Sequence, residues 1–286
     1  HVRSRRQRQM CIRDRFIATI DRLKTKEKAE KGLEYLKQFP LEIIAFETKE
    51  GKEKPPRLFD LTSLQVEANK KLAYSAENTL KYVQSLYEKK MVTYPRVDTT
   101  YLSEDLHPKI EGILQKLTPY ATYTASLLEK PIAKSKNIFD NSKVTDHHAI
   151  IPTGNFSSDL TIDEKKIYDM ICRRFISVFY PDCLVSNTLV EAKIGDINFR
   201  TTGKQILDFG WRVLYPKDKK NQEEKEEEKT IPNFVVGEKG PHEPFIHQGK
   251  TTPPKPYTEA TLLRAMETAG KQVDDCLLYT SPSPRD

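Results

Sequence analysis

The chain reads as an α+β protein in two parts: a mainly helical domain over residues 58–182, set within a β-rich part built from residues 16–57 and 183–250. Three observations predict this. Apolar residues recur at three- and four-residue intervals through 58–117 and 161–180, the mark of amphipathic helices. Residues 41–48 and 184–201 are strand-like, the second stretch alternating around Gly195-Asp196. Strands thus resume after residue 183, and that return makes the helical domain an insertion.

The elements follow in order. Residues 1–15, HVRSRRQRQMCIRDR, carry six arginines against one aspartate and no periodicity. They resemble translated sequencing adaptor, as do residues 276–286 (CLLYTSPSPRD), and both ends are expected to be non-native; a basic nucleic-acid arm is the alternative for the first. Residues 26–38 read as a charged helix closed by Pro40, followed by the strand 41–48 and the connector GKEKPPR. Thr62 and Gln65 have capping-box spacing, with Leu64, Ala68 and Leu72 behind them. Ser75 can cap a second helix, whose buried face is Leu80, Val83 and Leu86 or Tyr87, and which runs into a short strand at Val92. Two helices and a strand resemble a winged helix. Ser103-Glu104-Asp105 opens a further helix with Leu106, Ile110, Ile113 and Leu117 as its stripe.

Residues 161–180 form an amphipathic helix ended by Pro181, with Arg173 and Arg174 expected on a solvated face and DNA contact as the alternative. Residues 210–215 read as an edge strand, 217–229 as a solvated charge run, and 233–236 and 244–247 as two more strands. Pro253 to Pro256 stiffen a connector, and Thr258 starts a helix that opens a further helical domain over 251–275.

Composition excludes several classes. The 286 residues are 37% hydrophobic and 31% charged, with no apolar run of about 18 residues that could span a membrane and no secretory h-region. Cys11, Cys172, Cys183 and Cys276 form no CxxC pair, which argues against a disulfide framework or a zinc site and fits a reducing cytoplasm. The net charge of +6 comes almost wholly from residues 1–15, so basicity is not evidence for nucleic-acid binding.

Chemistry concentrates in Met91 to Thr100, MVTYPRVDTT. Pro95 biases Tyr94 to extended geometry. Tyr94 could act as a nucleophile through its phenolic oxygen, and Arg96 offers a donor fork that matches a phosphate. Asp98 could orient the arginine or a proton. An ordinary turn in a tyrosine-rich chain is the alternative. In VTDHHAIIPT, His147 and His148 lie beside Asp146, but neighbours in an extended segment point to opposite faces, so a shared metal ion is disfavoured; either a polar loop or one histidine facing a phosphate fits.

KPPRLFDLTSLQ (54–65), VTYPRVDTTYLSEDL (92–106), VTDHHAIIPTG (144–154) and PPKPYTEATLLRAMETAGK (253–271) occur in this order. Together they resemble a type IA DNA topoisomerase of the bacterial topoisomerase III branch, over about residues 20–273. The resemblance implies a toroidal enzyme with a winged-helix-like tyrosine domain inserted in a β-rich arch. Such an enzyme cuts one DNA strand through a 5′-phosphotyrosine, passes another strand through the gap and reseals without ATP.

By that likeness Tyr94 is the nucleophile, Arg96 the phosphate-stabilising arginine and His147 the active-site histidine. Gln65, Asp98, His148 and Arg264 match positions near DNA. Single-stranded DNA is the implied partner, a helicase a further one, and a monomer in the bacterial cytoplasm, associated with the nucleoid, the implied state. The resemblance also implies Mg²⁺, held in the whole enzyme by an N-terminal acidic domain; residues 1–60 contain no Asp-x-Asp strand of that kind, so this polypeptide alone is expected to be inactive. A non-catalytic single-stranded DNA-binding module is the alternative.

Overall fold

In the computed structural model the described residues are 25–215, 231–247, 249 and 252–268. The expectations for 1–15, 217–229 and 276–286 lie outside them. The described chain divides into two compact units, one from 25–54 and 181–252, the other from 55–180 and 253–268.

The first unit holds helix α1 (Lys26–Leu36) and a four-stranded sheet. Its strands are β1 (Leu41–Glu53), β2 (Cys183–Ile194), β3 (Ile197–Asp208) and β4 (Lys239–Gly240), in the order β3-β2-β1-β4. The β1–β2, β2–β3 and β1–β4 pairs are all antiparallel. Ile44 is bulged out of the β1–β2 register, since pairing shifts between Ile43 and Ala45. Ile43, Val190 and Ala192 form a buried cluster covered by Leu41, Phe46, Ile231 and Phe234. The β2–β3 hairpin turns at Gly195, whose φ of +57° and approach to the Tyr35 ring leave no room for a side chain.

Three expectations here are corrected. Residues 210–215 are not an edge strand but a 3₁₀ turn, Gly210–Leu214, because Gly210 takes a φ of +47° and the Trp211 N–H donates back to the Pro181 carbonyl at 3.1 Å. Neither 233–236 nor 244–247 forms a strand. The paired residues are Lys239 and Gly240, after a turn in which Gly237 N–H donates to the Ile43 carbonyl at 2.7 Å.

The second unit is helical: α2 (Leu61–Leu72), α3 (Ala76–Glu88), α4 (His107–Lys116), α5 (Ala121–Leu128), α6 (Ile162–Ser177) and α7 (Glu259–Glu267). Its core is fully buried Leu64, Leu86, Met91, Ile110, Leu114, Ile150 and Phe175. Helix α7 packs against α2. Ser75, Thr161 and Thr258 cap α3, α6 and α7, each accepting the backbone N–H of the third helical residue.

At α2 the cap is not Thr62 with Gln65. Asp60 accepts from Ser63 N–H at 2.7 Å while the Ser63 hydroxyl accepts from Asp60 N–H, a capping box two residues earlier. The helix expected at Ser103 begins as a 3₁₀ turn, Glu104–Leu106, and becomes α-helical only at His107, where Pro108 pre-sets the first turn. Helix α5 lies in a stretch whose sequence carries no clear period.

Arg174 is corrected most. It is buried, pairs with Glu67, donates to the Arg57 carbonyl at 2.9 Å and lies 4.0 Å over the Phe59 ring. Arg173 pairs with Asp169 at 2.8 Å. The apolar face of α6 wraps further round the helix than its period suggests, so Arg174 faces protein and must be paired.

Candidate functional site

The site is built on the end of α3. Lys90 N–H donates to the Tyr87 carbonyl at 2.8 Å and Met91 N–H to the Leu86 carbonyl at 2.9 Å, the two bonds of a Schellman stop. Lys90 takes the left-handed position, φ +58°, that glycine usually fills. Its carbonyl is held by the Thr153 hydroxyl at 2.6 Å and the Asn155 amide at 3.1 Å. The chain therefore leaves α3 in a defined direction.

Beyond this stop the segment does not form the expected strand; only Val92 makes an isolated bridge, to Pro152. Burial nevertheless alternates. Pro95, Val97 and Thr99 are buried, while Arg96 and Asp98 are exposed and Tyr94 half-buried. Tyr94, Arg96 and Asp98 thus share the outward side.

Three segments distant in sequence interlace here. Thr93 N–H donates to the Ile151 carbonyl, and Ile151 N–H returns to the Thr93 hydroxyl, both at 3.0 Å. That hydroxyl also donates to the Ala149 carbonyl at 3.2 Å. Ala149 N–H donates to the Tyr101 carbonyl at 2.9 Å, Ile150 N–H to the Phe59 carbonyl at 2.8 Å, and Leu61 N–H to the Val97 carbonyl at 3.1 Å. Segments 57–61, 93–101 and 146–153 are knitted by these bonds into one floor.

On that floor the Tyr94 ring lies between two others. Its centroid is 4.6 Å from that of His147, inclined 41°, and 5.5 Å from that of Tyr87, nearly edge-on at 79°. Tyr87 was not singled out from sequence beyond a choice with Leu86 for the buried face. It is exposed, and Leu86 alone of the two is buried; because the helix stops at Glu88, no periodic spacing in the sequence links Tyr87 to Tyr94.

The two histidines diverge. His147 is exposed against Tyr94. His148 turns inward, its Nδ1–H donating to the Ala149 carbonyl at 2.8 Å. Burial pushes the His148 pKa below 6.5, against the opposing pull of that carbonyl and of Asp105. Asp105 is itself held low, first by the Ser103 hydroxyl.

Arg96 and Asp98 project from the segment that carries Tyr94, and among the described residues Arg96 has no hydrogen-bond or ion-pair partner. Gln65 is committed elsewhere, donating to the Ala76 carbonyl at 3.0 Å and so tying α2 to α3. Arg264 lies exposed on α7, paired with Glu267 at 2.7 Å. Neither contacts the Tyr94–His147 pair.

Among the described residues no three His, Cys, Asp or Glu side chains gather as a cation site. The described residues therefore offer no ligand set for an Mg²⁺ ion. No helix among them is long and apolar enough to cross a membrane.

A family model described as DNA topoisomerase matches residues 7–270. DNA topoisomerase 3 of Bacillus licheniformis is 36% identical over 234 residues, which are 80% of this chain and 32% of that protein. DNA topoisomerase 3 of Bacillus subtilis is 37% identical over 219 residues, 74% of this chain and 30% of that protein. Among solved structures, full-length topoisomerase I from Thermotoga maritima matches 88% of this chain and 41% of its own, with a TM-score of 0.65 at 22% identity, a likeness of fold. The chain spans about a third of the length of the curated relatives it matches.

Proposed function

We propose a reaction for this chain from one premise: it belongs to the bacterial DNA topoisomerase family, of type IA. The reaction is transfer of a DNA phosphodiester to Tyr94. The Tyr94 oxygen attacks the phosphorus and loses its proton to solvent. The phosphorus–O3′ bond breaks, and the departing 3′ oxygen takes up a proton. The product is a 5′-phosphotyrosine and a free 3′-hydroxyl. The bond energy stays in the ester, so attack by the 3′-hydroxyl reseals the strand without ATP.

Such a transfer needs positioning and neutralisation of charge rather than a complex covalent apparatus. Arg96, two residues along the same outward side, offers its donor fork to the non-bridging oxygens. His147, against the Tyr94 ring, offers a ring N–H to the same group. Asp98 orients the arginine. Gln65 contributes to the strand-binding surface indirectly, by tying α2 to α3, and His148 and Arg264 are assigned to that surface as DNA-facing residues. The Tyr94–His147 approach at 4.6 Å is the observation that carries this reading.

Single-stranded DNA is the partner this chemistry requires. A monomer in the cytoplasm at the nucleoid, with a helicase supplying unpaired strand and Mg²⁺ held by parts of the enzyme other than the described residues, is consistent with it. The same reading treats α2, α3 and the Val92 segment as a winged-helix-like tyrosine domain over 58–182, within a β-rich arch of a toroid formed from 16–57 and 183–250.

The test is a 3′-labelled single-stranded oligonucleotide incubated with the chain, magnesium chloride and the remaining length of a Bacillus relative supplied in trans. A covalent adduct is expected on a denaturing gel, absent in Tyr94→Phe and reduced about 10²-fold in Arg96→Ala or His147→Ala. An adduct that survives Tyr94→Phe would overturn the assignment.

A further inference from the structure

Arg57 is an exposed arginine of the second unit that the reaction above does not use. Its guanidinium carbon lies 4.7 Å above the centre of the Tyr101 ring. Among the described residues it has no carboxylate partner. Exposed arginines are ordinarily mobile, and this one is held at both ends. The Arg57 carbonyl accepts from buried Arg174 at 2.9 Å, and the Phe59 ring lies under Arg174 at 4.0 Å. The other end is fixed by the ring beneath it, because the Tyr101 carbonyl receives Ala149 N–H at 2.9 Å.

These anchors belong to the floor that carries Tyr94. Ala149 touches Tyr101 through its N–H and Thr93 through its carbonyl. Phe59, two residues from Arg57, bonds to Ile150. Ala149 thus joins the backbone of Tyr101 to the side chain of Thr93, the residue before Tyr94, and Arg57 lies over the Tyr101 ring.

We propose that the Arg57–Tyr101 pair is a second contact for the nucleic-acid strand, engaging a phosphodiester of the same strand beyond the one held by Tyr94 and Arg96. It rests on the reading that Tyr94 acts on DNA. A stacked guanidinium keeps its edge donors free, and those donors match phosphate oxygens bidentately. Holding it in place before binding removes the ordering cost that a free arginine would meet. The ligand class is the sugar–phosphate backbone of an unpaired strand, read without base preference.

The test is fluorescence anisotropy of a labelled oligonucleotide across a salt series, with the full chain. Each phosphate contact on a single strand contributes a log–log salt slope of about 0.7, or about 5-fold in affinity near 0.1 M salt. Arg57→Gln should lower the slope by about that amount and the affinity by about that factor. Tyr101→Leu, which keeps the charge and removes the platform, should weaken binding with the slope retained. Arg200→Gln, at an exposed position of β3 in the other unit, should change neither. Arg57→Gln with unchanged slope and affinity, while the wild-type chain binds in a salt-dependent way, overturns the proposal and leaves the Tyr94 reading intact. A wild-type chain that does not bind the strand at all overturns both.

Discussion

Acid should loosen the helical unit at Glu164. Its buried carboxylate accepts from the Thr161 backbone N–H at 2.7 Å and from the Ser85 hydroxyl, and it pairs with Lys89 at 2.9 Å. Burial disfavours the charged form, but the donors on Ser85, Lys89 and Thr161 outweigh it and hold the pKa at about 2 against an ordinary 4.5. A gap of about 2.5 pH units corresponds to about 3.4 kcal/mol at about 1.36 kcal/mol per unit. The Lys89 side chain is 27% exposed, so water screens part of that pair, and about 2 kcal/mol is the working figure.

The sign follows from linkage. The folded pKa is depressed, so the stabilisation is complete above pH 4.5 and is lost as pH falls toward 2. A protonated glutamate resembles glutamine. Glu164→Gln should therefore be about 2 kcal/mol less stable than wild type at pH 7, and the difference should shrink below about pH 4.5 and more than halve by about pH 3. Urea unfolding followed by helical circular dichroism at several pH values measures this. A difference that stays constant across pH, or is absent at pH 7, would refute the reasoning. The consequence reaches the site, because Ser85 and Lys89 lie at the end of α3 that delivers Tyr94.

Two further predictions rest on single groups. His148, with its pKa lowered by burial and facing Asp105, Lys109 and His147, should titrate below 6.5 in an NMR titration, and its neutrality should cost the fold stability as pH drops below 6.5; titration at or above that value contradicts the inward placement. Gly210→Ala places a methyl 2.6 Å from the Pro181 and Asp182 carbonyl oxygens at a φ of +47°, so unfolding of the sheet unit should lose about 1–3 kcal/mol, and a loss under about 0.5 kcal/mol would show that the turn relaxes.

The helices were legible where their signals are local. Ser75 reads as a cap from the next few residues and makes its cap bond, and the helices read from Thr161 and Thr258 begin there, each with that threonine as its cap. Local reasoning failed where two local answers competed. Thr62-x-x-Gln65 and Asp60-x-x-Ser63 both have the spacing of a capping box, and Asp60 wins because Gln65 is drawn to the Ala76 carbonyl, eleven residues away. Phe234 and its β-branched neighbours look like a strand, but Phe234 serves the sheet by packing its side chain on the Ile43–Val190 cluster and not as part of a strand. Arg174 looks solvated because the period of α6 cannot show that Glu67 and Phe59 wait on its outer side.

The site divides along the same line. Tyr94, Arg96 and Asp98 share an outward face that alternation alone could place. The meeting of Tyr94 with His147 could not be read that way. It depends on single backbone bonds between three segments, Thr93 to Ile151, Ala149 to Tyr101 and Ile150 to Phe59, with no ladder long enough to impose a period. Isolated bridges of this kind leave no trace in hydrophobic spacing, yet each fixes a register to one residue. A single-residue slip would turn His148 toward Tyr94 in place of His147. The order of the motifs along the chain carried the pairing in sequence, and the Schellman stop at Lys90 together with the Thr93 hydroxyl carries it in space.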